Sequence, residues 1–477
     1  MCLAVNLTKK GVTTIDISKF NMQDTIVGVS APVGGAISIV RLSGANSTII
    51  LSKIFKHNGR KPFQSHRIYY GWIFDGKERI DEVLVSVMLA PKTFTCEDVV
   101  EINCHGGAIV VQRILSLVLR HGARAAQPGE FTRRAFLNGR IDLSRAEAVS
   151  DIINAKSELS HKAAAAQLQG RLAVLINATC ETLLNLLARI EMAIDYPEYD
   201  EADIIAADVK TNLLDIQLQL AHLLKTANQG RIIRDGIKTV IIGRPNVGKS
   251  SLLNALAQEN SAIVSHIPGT TRDVIRENIR LGDLFLVVSD TAGIRETDDI
   301  VESQGVERSV KEALQADLIL LVLDGSEQTT RDDIAALDSD INNPQHVIVV
   351  INKADLPQAI DTTMLDEMFG ENAVVYISAK NYEGIDTLTN KIRETFFEGK
   401  LEYDASMDIV TRSRHIALLH SAADAITRAI DAVDSGMSID LLAIDIQDAY
   451  ASLGEITGVV IEDALIDKIF SEFCLGK

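Results

Sequence analysis

Cysteine is scarce and scattered: Cys2, Cys96, Cys104, Cys180 and Cys474 are odd in number, and none sits in a C-x-x-C pair or beside a histidine cluster. That pattern argues against a disulfide framework and a structural zinc site, and it fits a reducing, cytoplasmic compartment. Long apolar runs are missing too. None approaches the roughly 20 residues that span a bilayer, and the start, MCLAVNLTKKG, lacks the apolar segment of a secretory signal. Neither membrane insertion nor export is expected. Positive charge is in deficit, with 47 Lys plus Arg against 65 Asp plus Glu and a net charge of −18. Non-specific grip on nucleic acid comes from neutralising phosphates, so a surface that binds DNA or RNA throughout is excluded. A tRNA or rRNA would be touched at one local patch, or held mainly by another subunit. No internal repeat and no low-complexity tract is present.

What is present is an ordinary globular composition, 47% hydrophobic and 23% charged over 477 residues. That is enough for roughly two to four domains, each with its own core. Residues 1 to about 20 read as a loose lead-in. Thr25–Arg41 reads as two short strands around a Gly-Gly turn. Further β-rich runs lie at Ile68–Ile73, Glu82–Leu89 and Val99–Ile102, with an apolar-periodic helix at Ala108–Leu119. This mixture suggests one α+β domain. Arg120, Arg124, Arg133, Arg134, Arg140 and Arg145 form the densest basic stretch, which is either a solvated surface or a patch for an anion or RNA.

From Leu143 to Ile194 the spacing turns helical, with Leu168, Leu172, Leu175, Ile176, Leu183, Leu184 and Leu187 as the stripe of a bundle. The acidic segment DYPEYDEAD (195–203) breaks it; a second helix spans Asp208 to about Ala227, and Asn228-Gln229-Gly230 is expected to end it. From about Ile237 to Phe397, strands at 239–242, 284–289, 318–323, 347–351 and 374–377 alternate with helices. That is a doubly wound α/β pattern, with its ligand at the carboxyl ends of the strands. After EGKLEYDAS (398–406) amphipathic helices return up to Phe473. The simplest arrangement is an inserted domain whose adjacent ends let the two helical pieces close into one bundle.

The stretch VIIGRPNVGKSSLL (240–253) is the most informative in the chain. A strand meets Gly243, and Gly248, Lys249 and Ser250 follow at the spacing G-x-x-x-x-G-K-[ST] before a helical start. Inward N–H groups of Asn246, Val247, Gly248, Lys249, Ser250 and Ser251 and the helix N-terminus suit phosphate. Lys249 would reach the outer phosphates, and the Ser250 hydroxyl would ligate Mg²⁺. Asp290-Thr291-Ala292-Gly293 closes the strand Leu284–Ser289, its Asp holding Mg²⁺ through water. Asn352-Lys353-Ala354-Asp355 ends another strand. The Asp355 carboxylate can accept from N1–H and the exocyclic amine of guanine, a donor pair adenine lacks. Ser378-Ala379-Lys380 supplies a loop over the base. Four such motifs in order indicate guanine nucleotide binding, with GTP as substrate.

Between the first two motifs, Pro268-Gly269-Thr270-Thr271-Arg272-Asp273 reads as a switch loop in which Thr271 adds its hydroxyl to Mg²⁺. Ras-like GTPases place a water-orienting Gln directly after D-x-x-G. Here that position is Ile294, which neither donates nor accepts a hydrogen bond. Another group must position the water and neutralise the developing charge. The following stretch, RETDDIVESQGVER, offers several carboxylates that also read as solvated charges.

With GRPNVGKSSLLNAL, IPGTTRD, DTAGIRETDDIVESQGVER, NKAD, PGEFTRRAFLNGRIDLSRAEA (128–148), EDVVEINCHGG (97–107) and the ending Phe473-Cys474-Leu475-Gly476-Lys477, the chain resembles the MnmE (TrmE/ThdF) family of tRNA-modification GTPases. The resemblance implies a multidomain α/β protein: an α+β tetrahydrofolate-binding and dimerisation domain at 1–140, helical parts at 141–235 and 399–477, and an inserted Ras-like G domain at 236–398. It implies a homodimer whose G domains pair in a K⁺-dependent way. Asn246 would supply an oxygen to K⁺ together with carbonyls of Ser265, Ile267 and Thr270, while His266, Pro268 and Gly269 complete the loop around the nucleotide. Glu302 would activate water indirectly in place of the missing Gln. The family also implies a 5-formyl- or methylene-tetrahydrofolate held by Arg41, Glu101, Arg140 and Lys477. Arg and Lys suit its glutamate carboxylates, and Glu suits the donor edge of the pterin. Cys474 is given no catalytic role. The function implied is modification of C5 of a tRNA wobble uridine by an aminomethyl-type group, in a complex with the FAD protein MnmG. An Era-type ribosome-assembly switch is the alternative, and it predicts a basic RNA-binding domain that this acidic chain lacks.

Overall fold

A computed structural model of the chain describes residues 24–31, 33–57, 62–195, 202–259, 276–289, 316–328, 346–370, 373–397, 410–473 and 476. The switch loop 265–271, Asp290–Gly293, Glu302, Cys474, Lys477 and the lead-in 1–20 lie outside these residues. The chain divides into two compact units: Met1–Ile153 with Ala164–Leu224 and Arg414–Lys477, and Asn154–Ala163 with Lys225–Ser413.

In the first unit, β1 (Ile26–Val29), β2 (Ile37–Ser43), β3 (Phe55–His57), β4 (Arg67–Asp75), β5 (Glu78–Met88), β6 (Val99–His105) and β7 (Arg124–Ala125) form one sheet in the order β3-β4-β5-β6-β2-β1-β7. Its pairs are antiparallel except β1 with β7. Alternation decides the faces. Val83, Val85 and Val87 of β5 and Val100, Ile102 and Cys104 of β6 are buried with residues of α1 (Ser47–Ile54) and α2 (Ala108–Arg120). The other face carries Ile68, Tyr70 and Leu84, all about half or more exposed, and the register pair Arg41 and Glu101. The helix α1 and the short strands β3 and β7 were not legible as elements. Neither was α3 (Glu130–Leu137), because its buried positions include Glu130, Thr132 and Arg134, which a hydrophobic count reads as surface.

Among the described residues the helical part of this unit comprises α4 (Leu143–Asn154), the 164–168 end of α5 (Glu158–Leu168), α6 (Arg171–Asp195) and the 202–224 stretch of α7 (Ala202–Asp235), with α11 (Ser413–Asp434), α12 (Ile439–Thr457) and α13 (Asp463–Ser471) after the second unit. The buried stripe of α6 runs through Leu172, Ile176, Thr179, Cys180, Leu183, Leu186 and Ile190. The expected stripe is corrected here: Leu168 and Leu184 are over a third exposed, since true helical geometry carries the stripe to Leu186 and Ile190. By length and composition α6 could cross a bilayer; its buried stripe instead packs in the bundle with α12. The helices before and after the second unit meet through Lys210 with Asp434, and through Gln217 Nε2 donating to Thr427 Oγ1 at 3.0 Å.

Asn228-Gln229-Gly230 does not end its helix. α7 continues to Asp235, where Ile232 and Ile233 are buried and Arg231 is anchored on Asp317 at 2.7 Å. Those contacts outweigh the roughly 1 kcal/mol that a glycine costs inside a helix.

The second unit is a sheet in the order β13-β12-β11-β8-β10-β9, made by β8 (Ile237–Ile242), β9 (Arg276–Leu281), β10 (Leu284–Ser289), β11 (Leu318–Asp324), β12 (Val347–Asn352) and β13 (Val374–Tyr376). Its pairs are parallel except β9 with β10. The edge strand β9 was unexpected from sequence, because charged and apolar residues mix in RENIRL. Among its described residues, helices α8 (Lys249–Glu259), α9 (Thr363–Phe369) and α10 (Ile385–Phe397) accompany the sheet. Leu159, Ala163, Ile232 and Ile233 join its core, and Lys156 donates to Asn278 Oδ1 at 3.0 Å.

Candidate functional site

The phosphate-type loop is built at the carboxyl end of β8, where six residues connect the central strand to α8. Gly248 has φ 98, and a Cβ there would meet Asn352 Nδ2 at 2.2 Å, so only glycine fits. Asn246 also adopts a left-handed conformation, φ 67, which amide side chains tolerate better than most. Val247 is buried beneath the loop. The Lys249 ammonium donates to the carbonyls of Gly243 at 2.6 Å and Arg244 at 2.7 Å, and burial pulls its pKa below the ordinary lysine value. Ser250 and Ser251 follow in the first turn of α8.

The base-type loops lie at the ends of β12 and β13. Asn352 is buried and joins the loops together: its Nδ2 donates to Val247 O at 2.8 Å, and its Oδ1 accepts from Ala379 N at 3.0 Å. Ala354 N bonds Ile377 O at 2.9 Å. The Asp355 carboxylate accepts from Ser378 Oγ at 2.7 Å, and that bond, with Lys380 and Lys353 nearby, holds its pKa below the ordinary value. Lys353, at φ 62, pairs with Asp324 at the end of β11. Burial would raise the Asp324 pKa, but bonds from Lys353 and Ser326 outweigh it and the net shift is downward. The pairing of Asp324 with Lys353 was missed from sequence. The signal available was an acidic residue ending a strand beside the N-K-A-D strand.

A second candidate site lies on the open face of the first unit's sheet. Arg41 and Glu101, read as two separate ligand contacts, form an ion pair with each other at 2.8 Å, and the Arg41 guanidinium lies 5.7 Å from the Phe131 ring centre. Arg140 lies over Phe94 at 4.9 Å. Gly476 is anchored to the same sheet: its carbonyl accepts from Ser30 Oγ at 2.9 Å, and at φ 89 its position leaves no room for a Cβ against Val29 O. A Cβ on Gly28 would touch both Phe131 and Gly476, so Gly476 and the Arg41 pair share one neighbourhood.

The basic stretch is largely not an open patch. Arg134 is 2% exposed and pairs with Asp24 at 2.6 Å, Glu97 at 3.1 Å and Glu130 at 3.2 Å. Arg124 pairs with Asp24 and Glu130, Arg120 with Asp75, Arg133 with Asp467, and Arg145 with Asp142. The reading of this stretch as an anion or RNA patch is thus corrected: five of its six guanidiniums are neutralised by carboxylates, and an internal partner removes the field that would attract phosphate. Burial also pushes the thiols of Cys104 and Cys180 up to about 11 and about 12, so neither is a thiolate at neutral pH. No group of three metal-ligating His, Cys, Asp or Glu side chains occurs among the described residues.

Comparison with known proteins bears on the family of the chain. A family model described as the GTP-binding protein TrmE N-terminus matches residues 25–140, and one described as the MnmE helical domain matches residues 143–474. The chain is 51% identical over 461 residues to the tRNA modification GTPase MnmE of Geobacillus thermodenitrificans, covering 95% of this chain and 99% of that protein. It is 48% identical over 463 residues to the protein of the same name from Staphylococcus aureus strain Newman, again covering 95% and 99%. The G domain of the T. maritima FeoB iron transporter aligns at 25% identity over 33% of this chain and 98% of that one, with a TM-score of 0.26 that is too low to bear on function.

Proposed function

The chain belongs to the MnmE family of tRNA-modification GTPases, and from that premise we propose that its GTP hydrolysis drives the modification of C5 of the wobble uridine in certain tRNAs. The group added is carboxymethylaminomethyl or aminomethyl, the partner is the FAD protein MnmG, and the one-carbon unit comes from 5-formyl- or methylene-tetrahydrofolate. The observation that supports the nucleotide reading most is Asn352, which ties the phosphate loop at Val247 to the base loop at Ala379 through one buried amide. A single side chain thereby fixes the spacing between the two ends of a nucleotide.

In this reading the loop N–H groups of 246–251 and the Lys249 ammonium face the phosphates, and Asp355 reads the guanine edge. Ser250 and Thr271 would hold Mg²⁺, which screens the phosphate charge. The Asn246 amide oxygen, with carbonyls of Ser265, Ile267 and Thr270, would hold K⁺, whose charge opposes that developing on the transferred group. Glu302 fills, indirectly, the role that Ile294 cannot. A Glu302→Ala protein that binds GTP normally and hydrolyses it at the wild-type rate removes that assignment.

The folate reading draws on Arg41, Glu101, Arg140 and Lys477. A carboxylate-bearing ligand with a donor edge suits an arginine–glutamate pair beside the Phe131 ring, with Arg140 over Phe94 as a further cation. Pairing of two chains is in keeping with the exposed Ile68, Tyr70 and Leu84 on the same sheet face. GTP turnover in K⁺ against Na⁺ at several protein concentrations tests the paired-domain mechanism. The rate should rise with both K⁺ and concentration, and a rate indifferent to both overturns it. Titration with 5-formyltetrahydrofolate tests the second site, where absence of saturable binding removes the folate reading.

A further inference from the structure

Three polar atoms converge on the Asp324 carboxylate. Ser326 donates from its backbone N at 2.9 Å and its Oγ at 2.6 Å, and Lys353 brings its ammonium to the other oxygen. The Asp324 side chain is 8% exposed, so this is a carboxylate largely removed from water and held by its partners. Asp324 stands opposite Asn352 in the β11–β12 register, and Gly325 N bonds Asn352 O at 2.9 Å. The turn 324–326 is thus fastened to the first residue of the N-K-A-D motif. Lys353 itself sits in a left-handed conformation that lysine rarely adopts. A small cavity of ≈ 80 Å³ opens beside it, lined among others by Arg244, Asn246, Val247, Asp324 and Lys353. Lys353 therefore borders the start of the phosphate loop on one side and lies two residues before Asp355 on the other.

We infer that Asp324 is a positioning residue for guanine-nucleotide binding, acting by holding the Lys353 side chain as one wall between the phosphate loop and the base-reading Asp355. The inference rests on the reading of Lys353 as part of the nucleotide site. A lysine stem released from Asp324 would sample many rotamers and would have to be ordered again on each binding event. Asp324 fixes it beforehand. Its contribution is to affinity rather than to the chemical step, because its side chain acts on Lys353 of the base-reading motif.

The test uses the full chain and four proteins: wild type, Asp324→Asn, Lys353→Met and the double variant. An asparagine oxygen still accepts from Ser326, so D324N keeps the turn while removing the charge that holds Lys353. Affinity for a fluorescent GDP is expected to fall about tenfold in D324N, with kcat at saturating GTP within about twofold of wild type. In the K353M background the same substitution should change affinity by less than about twofold, since its effect passes through Lys353. Wild-type affinity in D324N overturns the inference, as does an equal loss in both backgrounds, which would mark Asp324 as merely structural. Normal affinity in K353M alone overturns the reading of Lys353 instead. If D324N folds poorly, K353M and the double variant, which leaves neither charge unpaired, still decide by whether their affinities agree.

Discussion

The loops at the ends of β8, β12 and β13 and the ion network around Arg134 are both dense in polar side chains, yet they are held in opposite ways. In the loops, Asn352, Lys249 and Ser378 bond chiefly to backbone or to residues of neighbouring motifs, so the polar groups shape the chain for something else to bind. Around Arg134, guanidiniums and carboxylates from three separate stretches satisfy one another. Charge density in a sequence therefore does not identify a binding site. What matters is whether the charges still have bonding capacity after folding.

That contrast can be broken most forcefully at Arg134. Arg134→Met should destabilise the chain by about 3–5 kcal/mol, because Asp24, Glu97 and Glu130 lose a shared buried partner; urea unfolding measures it, and a loss under 1 kcal/mol would make the network ornamental. The opposite pole is Lys249→Ala, which should lower single-turnover GTP hydrolysis by roughly 10²–10³-fold with little change in unfolding midpoint. Asn352→Ala sits between them: it removes both bonds that join Val247 to Ala379, and nucleotide affinity should drop by roughly tenfold to a hundredfold in equilibrium binding.

The smallest effect expected is an acid limit set by the network. Burial alone would raise the carboxyls of Asp24 and Glu130, but Arg124 and Arg134 outweigh it and hold both below their ordinary values. A carboxyl with a lowered folded pKa adds stability above its unfolded value and loses it as pH falls through the folded one. Stability should thus be level from about pH 7 to pH 5 and decline below about pH 4, and the decline should shrink in Arg134→Met. Melting curves followed by circular dichroism across that range check it.

The nucleotide loops were readable because each motif is a run of consecutive residues at a strand end, where a left-handed backbone favours glycine at 248 and an amide at 246. The α3 helix was not readable, since Arg134 is charged by type and buried by context. The end of α7 was misplaced for a related reason: a glycine is a local stop signal, and Arg231 overrides it through Asp317, 86 residues away in sequence.

By itself, the order of residues determined the alternation of strands and helices, the four nucleotide motifs and the aliphatic Ile294 where a water-orienting amide would stand. These follow from near-neighbour sterics and from periodicities of two and 3.6 residues. Only the folded chain decided which arginines are silenced, that Gly476 docks beside β1, that β9 adds an edge, and that Asp324 holds Lys353. The pairing of Arg134, the docking of Gly476 and the Asp324–Lys353 pair each depend on a partner brought from farther along the chain into a place with little water, where an ion pair or a missing Cβ counts for far more than it does on an exposed strand, whereas β9 pairs with its sequence neighbour β10.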